Sequence, residues 1–370
     1  MIYNWKQKDW KKFTYDKQEI AEYIVAFSEK IGLSKGALNV LSKEQHSQSM
    51  IDALVLEALK TSEIEGEYIS RKDVLSSIKR NIGLSVKDST VRDVRAKGIA
   101  SMLVNVHNSY QQTLTKETLF EWHSMLFSKN TNISVGAWRS HEEPMQVVSG
   151  SIGKEVVHFE APASSDVPNE MDAFIDWFNR TAPLARDEIK FAAVRSAIAH
   201  LYFESIHPFE DGNGRIGRAI AEKALLQSIG YPLLISLSSS IEDNRKLYYE
   251  SLKQGQRSNE LTKWLVYFIE VILNALDNSA KIVDFTIKKT QLFDACKDQI
   301  NDRQEKVLRK MLESSIEEFE GGMSAKKYMK ITKASKATAT RDIQKLSELG
   351  IFTQIGKGRS TSYKINLDNY

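Results

Sequence analysis

The chain has almost no cysteine, with one thiol, Cys296, in 370 residues. A single cysteine excludes an intramolecular disulfide framework. No cluster with metal-ligand spacing surrounds it, so the thiol reads as structural. Long apolar runs are missing as well. The opening Met1-Ile2-Tyr3-Asn4-Trp5 lacks the hydrophobic core of a signal peptide. The most apolar stretch, Trp264 to Leu276, is interrupted by Glu270 and Asn274 and is too short for a membrane span. A cytoplasmic protein with no membrane partner is the expectation. Charge of one sign is also absent at the level of the whole chain. The 51 Lys and Arg stand against 48 Asp and Glu, a net +3 that says little about partners.

What is present is concentrated in twelve residues, His207-Pro208-Phe209-Glu210-Asp211-Gly212-Asn213-Gly214-Arg215-Ile216-Gly217-Arg218. The phosphate loop GxxxxGK[ST] is not among them. Gly212 and Gly214 flank Asn213 and let backbone N–H groups converge. Apolar Ile216, Ala219, Ile220, Ala224 and Leu225 predict a helix starting near Gly214, whose N-terminus favours phosphate. Arg215 and Arg218, three apart, supply two guanidinium forks from neighbouring faces of its first turn. Asp211 suits Mg²⁺, a hard cation that arrives with phosphates. His207 suits a general base, because imidazole titrates near neutrality. Upstream, the Ala, Phe, Val and Leu of 189–206 predict a buried helix that presents the stretch at its C-terminal end.

The stretch matches HxFx[D/E]GNGRxxR at every fixed position and resembles the signature of the Fic family. That resemblance implies a helical fold with a short β-hairpin flap. It implies transfer of AMP from ATP to a Tyr, Ser or Thr hydroxyl of a protein. His207 would deprotonate the hydroxyl, and Asp211 would hold Mg²⁺ on the α- and β-phosphates. Asn213 with the backbone of Gly212 and Gly214 would form the anion hole. Arg215 and Arg218 would contact the polyphosphate, Arg218 nearest the γ-phosphate. A homodimer is common in the family and is expected here. Some members remove AMP, and relatives transfer other phosphate-containing groups.

A second segment, Thr61-Ser62-Glu63-Ile64-Glu65-Gly66, resembles the family's inhibitory motif [S/T]xxxE[G/N]. It lies in an apolar-periodic segment beginning near Ile51, and Thr61 and Glu65 share one helix face. The resemblance implies a Glu65–Arg218 ion pair that displaces the γ-phosphate and leaves ATP in an unproductive pose. It would place the chain in the N-terminally inhibited class. The same Glu65 could align a water for AMP removal.

Two strand-like runs, 146–148 and 155–159, flank a turn at 149–153. Val135 to Arg139 fits the family's GxxR segment before the flap. The resemblance implies that the target protein pairs with the 146–159 flap by β-augmentation; an ordinary exposed hairpin would read the same. Ile241 to Tyr249 resembles the segment lining the adenine side. Tyr248 or Tyr249 is expected there, unless both pack the core or its rim. Tyr3-Asn4-Trp5, Asp9-Trp10 and Phe13 resemble a small module preceding some Fic cores, with a packing task. Helices are predicted over 19–41, with a break near Gly32, over 91–110 and over 116–127. A last core helix is predicted over 261–275, followed by a mixed helical connector.

The final fifty residues carry ten Lys or Arg and three Asp or Glu, a local +7. Predicted helices over 303–314, 324–329 and 338–349 precede strands at 351–355 and 362–365. This order resembles winged helix-turn-helix domains. The resemblance implies DNA in contact with Thr338, Thr340, Arg341 and Lys345 of the third helix, and with Lys357 and Arg359 of the hairpin. Winged helices also bind proteins, so both partners stay open.

The expected architecture is mainly α: an N-terminal module over 1–90, a Fic core over 91–276, a connector over 277–300 and a small α+β winged domain over 301–370. The expected function is protein adenylyl transfer using ATP and Mg²⁺, restrained by Glu65. Removal of AMP, or a DNA-binding regulator with a nucleotide-sensing core, are the other readings.

Overall fold

The computed structural model describes residues 2–85, 91–127, 132–149, 156–313, 319 and 321–370. It divides into two units, one of Met1–Lys35 with Ala53–Ser279, the other of Gly36–Asp52 with Ala280–Tyr370. In chain order, a short 3-10 turn at Asn4–Lys6 precedes α1 (Ala21–Asn39), α2 (Lys43–Ile64), α3 (Arg71–Asn81), α4 (Val94–Ser109) and α5 (Lys116–Leu126). Ser70, Asp93 and Thr115 accept from first-turn N–H groups, so α3, α4 and α5 start at ordinary N-cap residues. The hairpin β1 (Gln146–Ser149) and β2 (Val156–Glu160) is antiparallel, with Gln146 opposite Glu160, Ser149 opposite Val156 and a bulge between Val147 and Val148. Then come α6 (Val167–Arg180), α7 (Ala192–Ile206), α8 (Asn213–Ile229), α9 (Leu237–Glu242), α10 (Arg245–Gly255) and α11 (Thr262–Cys296).

The first unit is organised around α7, which is buried on every face. A helix apolar on most sides belongs at the centre of a core, and α7 packs extensively along α8. Leu201, Leu225, Leu265, Phe268 and Ile269 lie in the surrounding core. Arg195 and Ser196, two buried polar residues of α7, are satisfied from within the core, Ser196 by the carbonyl of Ala221. Arg195 donates to the carbonyls of Phe178 and Ala224 and to the side chains of Thr181, Gln227 and Ser228. Burial pushes its guanidinium down to about 10, so it remains charged at neutral pH. The N-terminal aromatics tie the chain start to this core. Trp5 Nε1 donates to Glu160 O at the end of β2 (2.8 Å), Trp10 Nε1 to Glu170 (2.9 Å), and Asn4 Nδ2 to Ser205 Oγ (2.9 Å).

Two expectations about helix continuity are corrected. α1 runs through Gly32 without a break. A mid-helix glycine keeps its N–H and costs only about 1 kcal/mol relative to alanine. α11 is a single helix of 35 residues, not a core helix followed by a mixed connector. No proline or glycine interrupts 262–296, and Ile282, Val283 and Leu292 are buried along its second half. No helix among the described residues is long and apolar enough to cross a membrane.

In the second unit, α12 (Asp302–Met311), α13 (Ala325–Thr332) and α14 (Lys336–Glu348) precede an antiparallel hairpin of β3 (Phe352–Ile355) and β4 (Ser362–Ile365). Met323 bridges Tyr363 beside this hairpin. Leu308, Tyr328, Ile343, Leu346 and Phe352 share its core. Asn301 and Gln304 form a capping box at the start of α12. Buried Asp342 on α14 gathers the neighbours. It accepts from Arg303 Nε (2.9 Å), Tyr328 OH (3.0 Å) and Asn301 Nδ2 (3.3 Å). Burial would raise its carboxyl, but these hydrogen bonds and the Arg303 charge hold it below the ordinary range.

A depressed carboxylate stabilises the fold above its unfolded pKa, about 3.9, and this contribution is lost as pH falls through the lower folded value. Asp342→Ala should destabilise the second unit by about 1–3 kcal/mol, since it strands the Tyr328 hydroxyl. The check is hydrogen exchange across 302–348 at neutral pH, where amides of α12 to α14 should exchange faster than in wild type.

Candidate functional site

The site forms where α7 ends and α8 begins. His207 caps α7 in the left-handed conformation, φ 52° and ψ 60°. A non-glycine residue there is strained and must be held by its surroundings. Arg139 does the holding. Its Nε donates to His207 O (2.8 Å), Nη2 to Pro162 O (2.6 Å) and Ile206 O (3.3 Å), and Nη1 to Ser164 Oγ (2.9 Å). Its own N–H bonds Pro208 O (2.9 Å). Burial pushes the Arg139 guanidinium down to about 10, which leaves it charged. The GxxR segment is therefore a clamp on the last carbonyls of α7.

The loop is closed from within by Asn213. Its Oδ1 accepts from Phe209 N (2.9 Å) and its Nδ2 donates to Phe209 O (2.8 Å). Sequence reading placed this side chain in the anion hole; here the amide is committed to the loop. An anion would instead meet the backbone N–H groups that start α8. Gly212 is the N-cap at φ 81°. The Asp211 carboxylate is well exposed, accepts from Gly212 N–H, and lies 3.6 Å from Arg215 Nη2.

His123 on α5 is a residue that sequence reading missed. Its ring stacks on Phe209, with centroids 4.2 Å apart and planes at 9°. Gly136 N–H donates to its Nδ1 (2.9 Å), so Nε2 carries the proton and donates to Asp211 O (3.2 Å). Burial lowers its pKa and keeps the ring neutral. A lone histidine in an amphipathic helix carries no spacing signal that could have flagged it.

Over this surface lies the end of α2. Arg218 is buried and donates to Thr61 Oγ1 (2.8 Å), Thr61 O (3.0 Å) and Glu65 Oε1 (2.7 Å). Burial works to lower the arginine, but the Glu65 carboxylate holds it above its usual value. A Cβ at Gly214 would stand 2.3 Å from Glu65 Oε1, so the carboxylate rests against the first turn of α8. Gly66, at φ 77°, explains the turn. Gly66 N–H reaches Glu63 O and Glu67 N–H reaches Ser62 O (both 2.9 Å), a Schellman closure of α2. That closure brings Glu67 round to Arg215, with Oε2 at 3.1 Å from Nη1. Nothing in the sequence pattern marked Glu67.

Tyr248 and Tyr249 part company. Tyr248 is buried with its hydroxyl 3.0 Å from His200 Nε2, which removes it from the surface of the site. Tyr249 is 43% exposed and its hydroxyl lies 3.4 Å from Ile64 O. The flap strands are present, while the turn expected at 149–153 falls almost wholly outside the described residues. On α14, Thr340, Arg341 and Lys345 are exposed and Thr338 is half-buried. Lys357 is exposed at the hairpin, and the Arg359 side chain lies outside the description. Among the described residues no three His, Cys, Asp or Glu side chains gather closely enough to hold a metal on their own.

Residues 113–225 match the Fic/DOC family model. The chain carries a Fic/DOC domain. Residues 3–84 match a domain of unknown function, DUF4172. Relatives of the chain include Protein adenylyltransferase Fic of Nematostella vectensis, 29% identical over 148 residues, or 40% of this chain and 30% of that protein. Protein adenylyltransferase fic-1 of Caenorhabditis briggsae is 32% identical over 94 residues, 25% of this chain and 17% of that one. The matched stretches thus span less than a third of these relatives. A Fic family protein from Desulfovibrio desulfuricans G20 shares the fold, with TM-score 0.53 and 17% identity over 94% of this chain and 96% of its own. A Fic domain containing signaling protein from Bacteroides thetaiotaomicron does so with TM-score 0.52 and 21% identity over 72% and 96%.

Within the Fic/DOC domain, His123→Phe should keep the stack on Phe209 and lose both hydrogen bonds. A cost of about 1–3 kcal/mol is expected, because Gly136 N–H and Asp211 O lose their partner. Urea unfolding followed by tryptophan fluorescence checks it; Trp138 lies 5.0 Å from Phe209.

Proposed function

We propose that this protein transfers AMP from ATP to a protein hydroxyl, and that Glu65 restrains the transfer. The observation that carries the reading is the 2.7 Å Glu65–Arg218 contact, with the carboxylate seated at the phosphate-favouring start of α8. An arginine committed to a carboxylate is not free for a phosphate. The target hydroxyl oxygen attacks the α-phosphorus, and its proton passes to His207. The bond from the α-phosphorus to the bridging oxygen breaks, and pyrophosphate leaves. The backbone at 213–215, with Arg215 and Arg218 once released, holds the phosphates in line.

Asp211, whose carboxylate is open to solvent, would hold Mg²⁺ as a hard oxygen ligand. Mg²⁺ supplies charge neutralisation on the phosphates when bound. Tyr249, exposed beside Ile64, takes the adenine side. The target segment lies along the 146–159 hairpin, whose outgoing strand Trp5 anchors.

The test is transfer of α-labelled AMP by wild type, Glu65→Gly and Glu65→Gly/His207→Ala. Glu65→Gly should raise labelling at least about tenfold, the effect of removing roughly 1.4 kcal/mol of competition. Loss of His207 should then cut it by about 10²–10⁴. No labelling in any variant, with AMP released from a pre-modified protein by wild type alone, would replace transfer by removal.

A second reading concerns the basic C-terminal unit. The exposed face of α14 with Arg341 and Lys345 supports a nucleic-acid interface. A labelled duplex should bind with an affinity that falls steeply with salt, and Arg341→Ala/Lys345→Ala should flatten the log–log slope by roughly 1–2. A slope unchanged by the double substitution, or no binding at low salt, would remove DNA as the partner.

A further inference from the structure

Three residues of α7 and its cap, His200, Glu204 and His207, lie four and three apart and so share one helix face. Glu204 is 4% exposed, and its Oε2 lies 3.6 Å from His207 Nδ1. Glu204 Oε1 and His207 Nδ1 are both buried with no hydrogen-bond partner among the described residues. The unpartnered His207 Nδ1 has the Glu204 carboxylate within 3.6 Å through Oε2, while Oε1 turns toward Gly217, where His200 Nδ1 is likewise buried without a partner among the described residues. Catalytic hydrogen bonds are often long before substrate binds and tighten in the complex.

The opposite wall is shaped for this carboxylate. Gly217, in the interior of α8, lies so close that a Cβ there would stand 2.4 Å from Glu204 Oε1 and 3.2 Å from His200 Nδ1. A glycine between the two motif arginines gives up helix stability, and here it opens a notch for Glu204. His200 faces Tyr248 through Nε2, and burial keeps its ring neutral. Burial would raise the Glu204 carboxyl, but His207, His200 and Arg218 together hold it below the ordinary range. The charged or titratable groups around it are thus His200, His207, Arg218, Tyr248 and Tyr249.

We propose that Glu204 is a positioning residue that holds His207 with Nδ1 protonated and inward, leaving Nε2 bare toward the reacting hydroxyl. The proposal rests on the reading of His207 as base. When Nε2 takes the proton, the ring becomes an imidazolium whose charge faces the Glu204 carboxylate. Because Glu204 acts through His207, its loss should touch the proton transfer and leave ATP binding alone.

Two measurements test it. In the Glu65→Gly background, Glu204→Gln should lower kcat about a hundredfold, with the KM for ATP changed by no more than about twofold. Gly217→Ala keeps the carboxylate and pushes it aside, so it should lower kcat in the same direction. It stands in should Glu204→Gln fail to fold. Independently of any turnover, ¹⁵N NMR of His207 should show the Nδ1–H tautomer in wild type and its loss in Glu204→Gln. If tautomer and kcat are both unchanged by both substitutions, Glu204 has no such role. If Glu65→Gly transfers no AMP, the transferase reading fails, and the tautomer result alone still decides for or against Glu204.

Discussion

Arg218 is the constraint on which the site depends. A guanidinium cannot lose its charge, and a buried one requires acceptors on every side. In this chain the acceptors come from 153 and 157 residues away, Glu65 and Thr61, at the end of α2. The cation therefore decides where the end of α2 rests, and α2 decides what stands over the start of α8. The buried guanidinium at the start of α8 already has a carboxylate beside it. Glu67 repeats the arrangement one position outward with Arg215, through the turn that Gly66 makes.

Beneath this sits a reversal of chain between two buried helices. Six residues must turn α7 into α8 while leaving carbonyls and N–H groups pointed usefully. Arg139 binds the carbonyls that α7 leaves open, His123 binds the carbonyl of Asp211, and Asn213 ties the loop to itself at Phe209. With those groups satisfied, His207 can persist in a left-handed conformation that a histidine would not otherwise adopt. The rigidity comes from the protein interior, which suits a site whose chemistry depends on position.

Much of this was legible along the chain. The helix start at 213 followed from apolar spacing, and the buried helix ending at 206 from its composition. Order and type of the C-terminal elements followed from turn residues and periodicity. The Thr61 and Glu65 pair was visible only through its resemblance to the family's inhibitory motif; the four-residue spacing adds that the two share a helix face. His123, Glu204 and Glu67 were not visible. Each is an ordinary helix or turn residue whose neighbours in sequence say nothing about its neighbours in space. The continuity of α1 and α11 was misjudged for a related reason, since a glycine or a change of polarity weakens a helix only slightly while packing along its length restores it.

The sequence by itself determined the chemistry on offer: a base, an acid, an anion-binding helix start and two arginines within twelve residues. Such inventories are local, and local spacing on a helix is fixed by its 3.6-residue turn. Only the tertiary structure decided which of these groups face one another and which are spent on the scaffold. It gave Asn213 to the loop, Tyr248 to the core and Arg215 to Glu67. It also set a buried carboxylate beside the candidate base, because burial forces every polar group to find a partner wherever the fold happens to bring one.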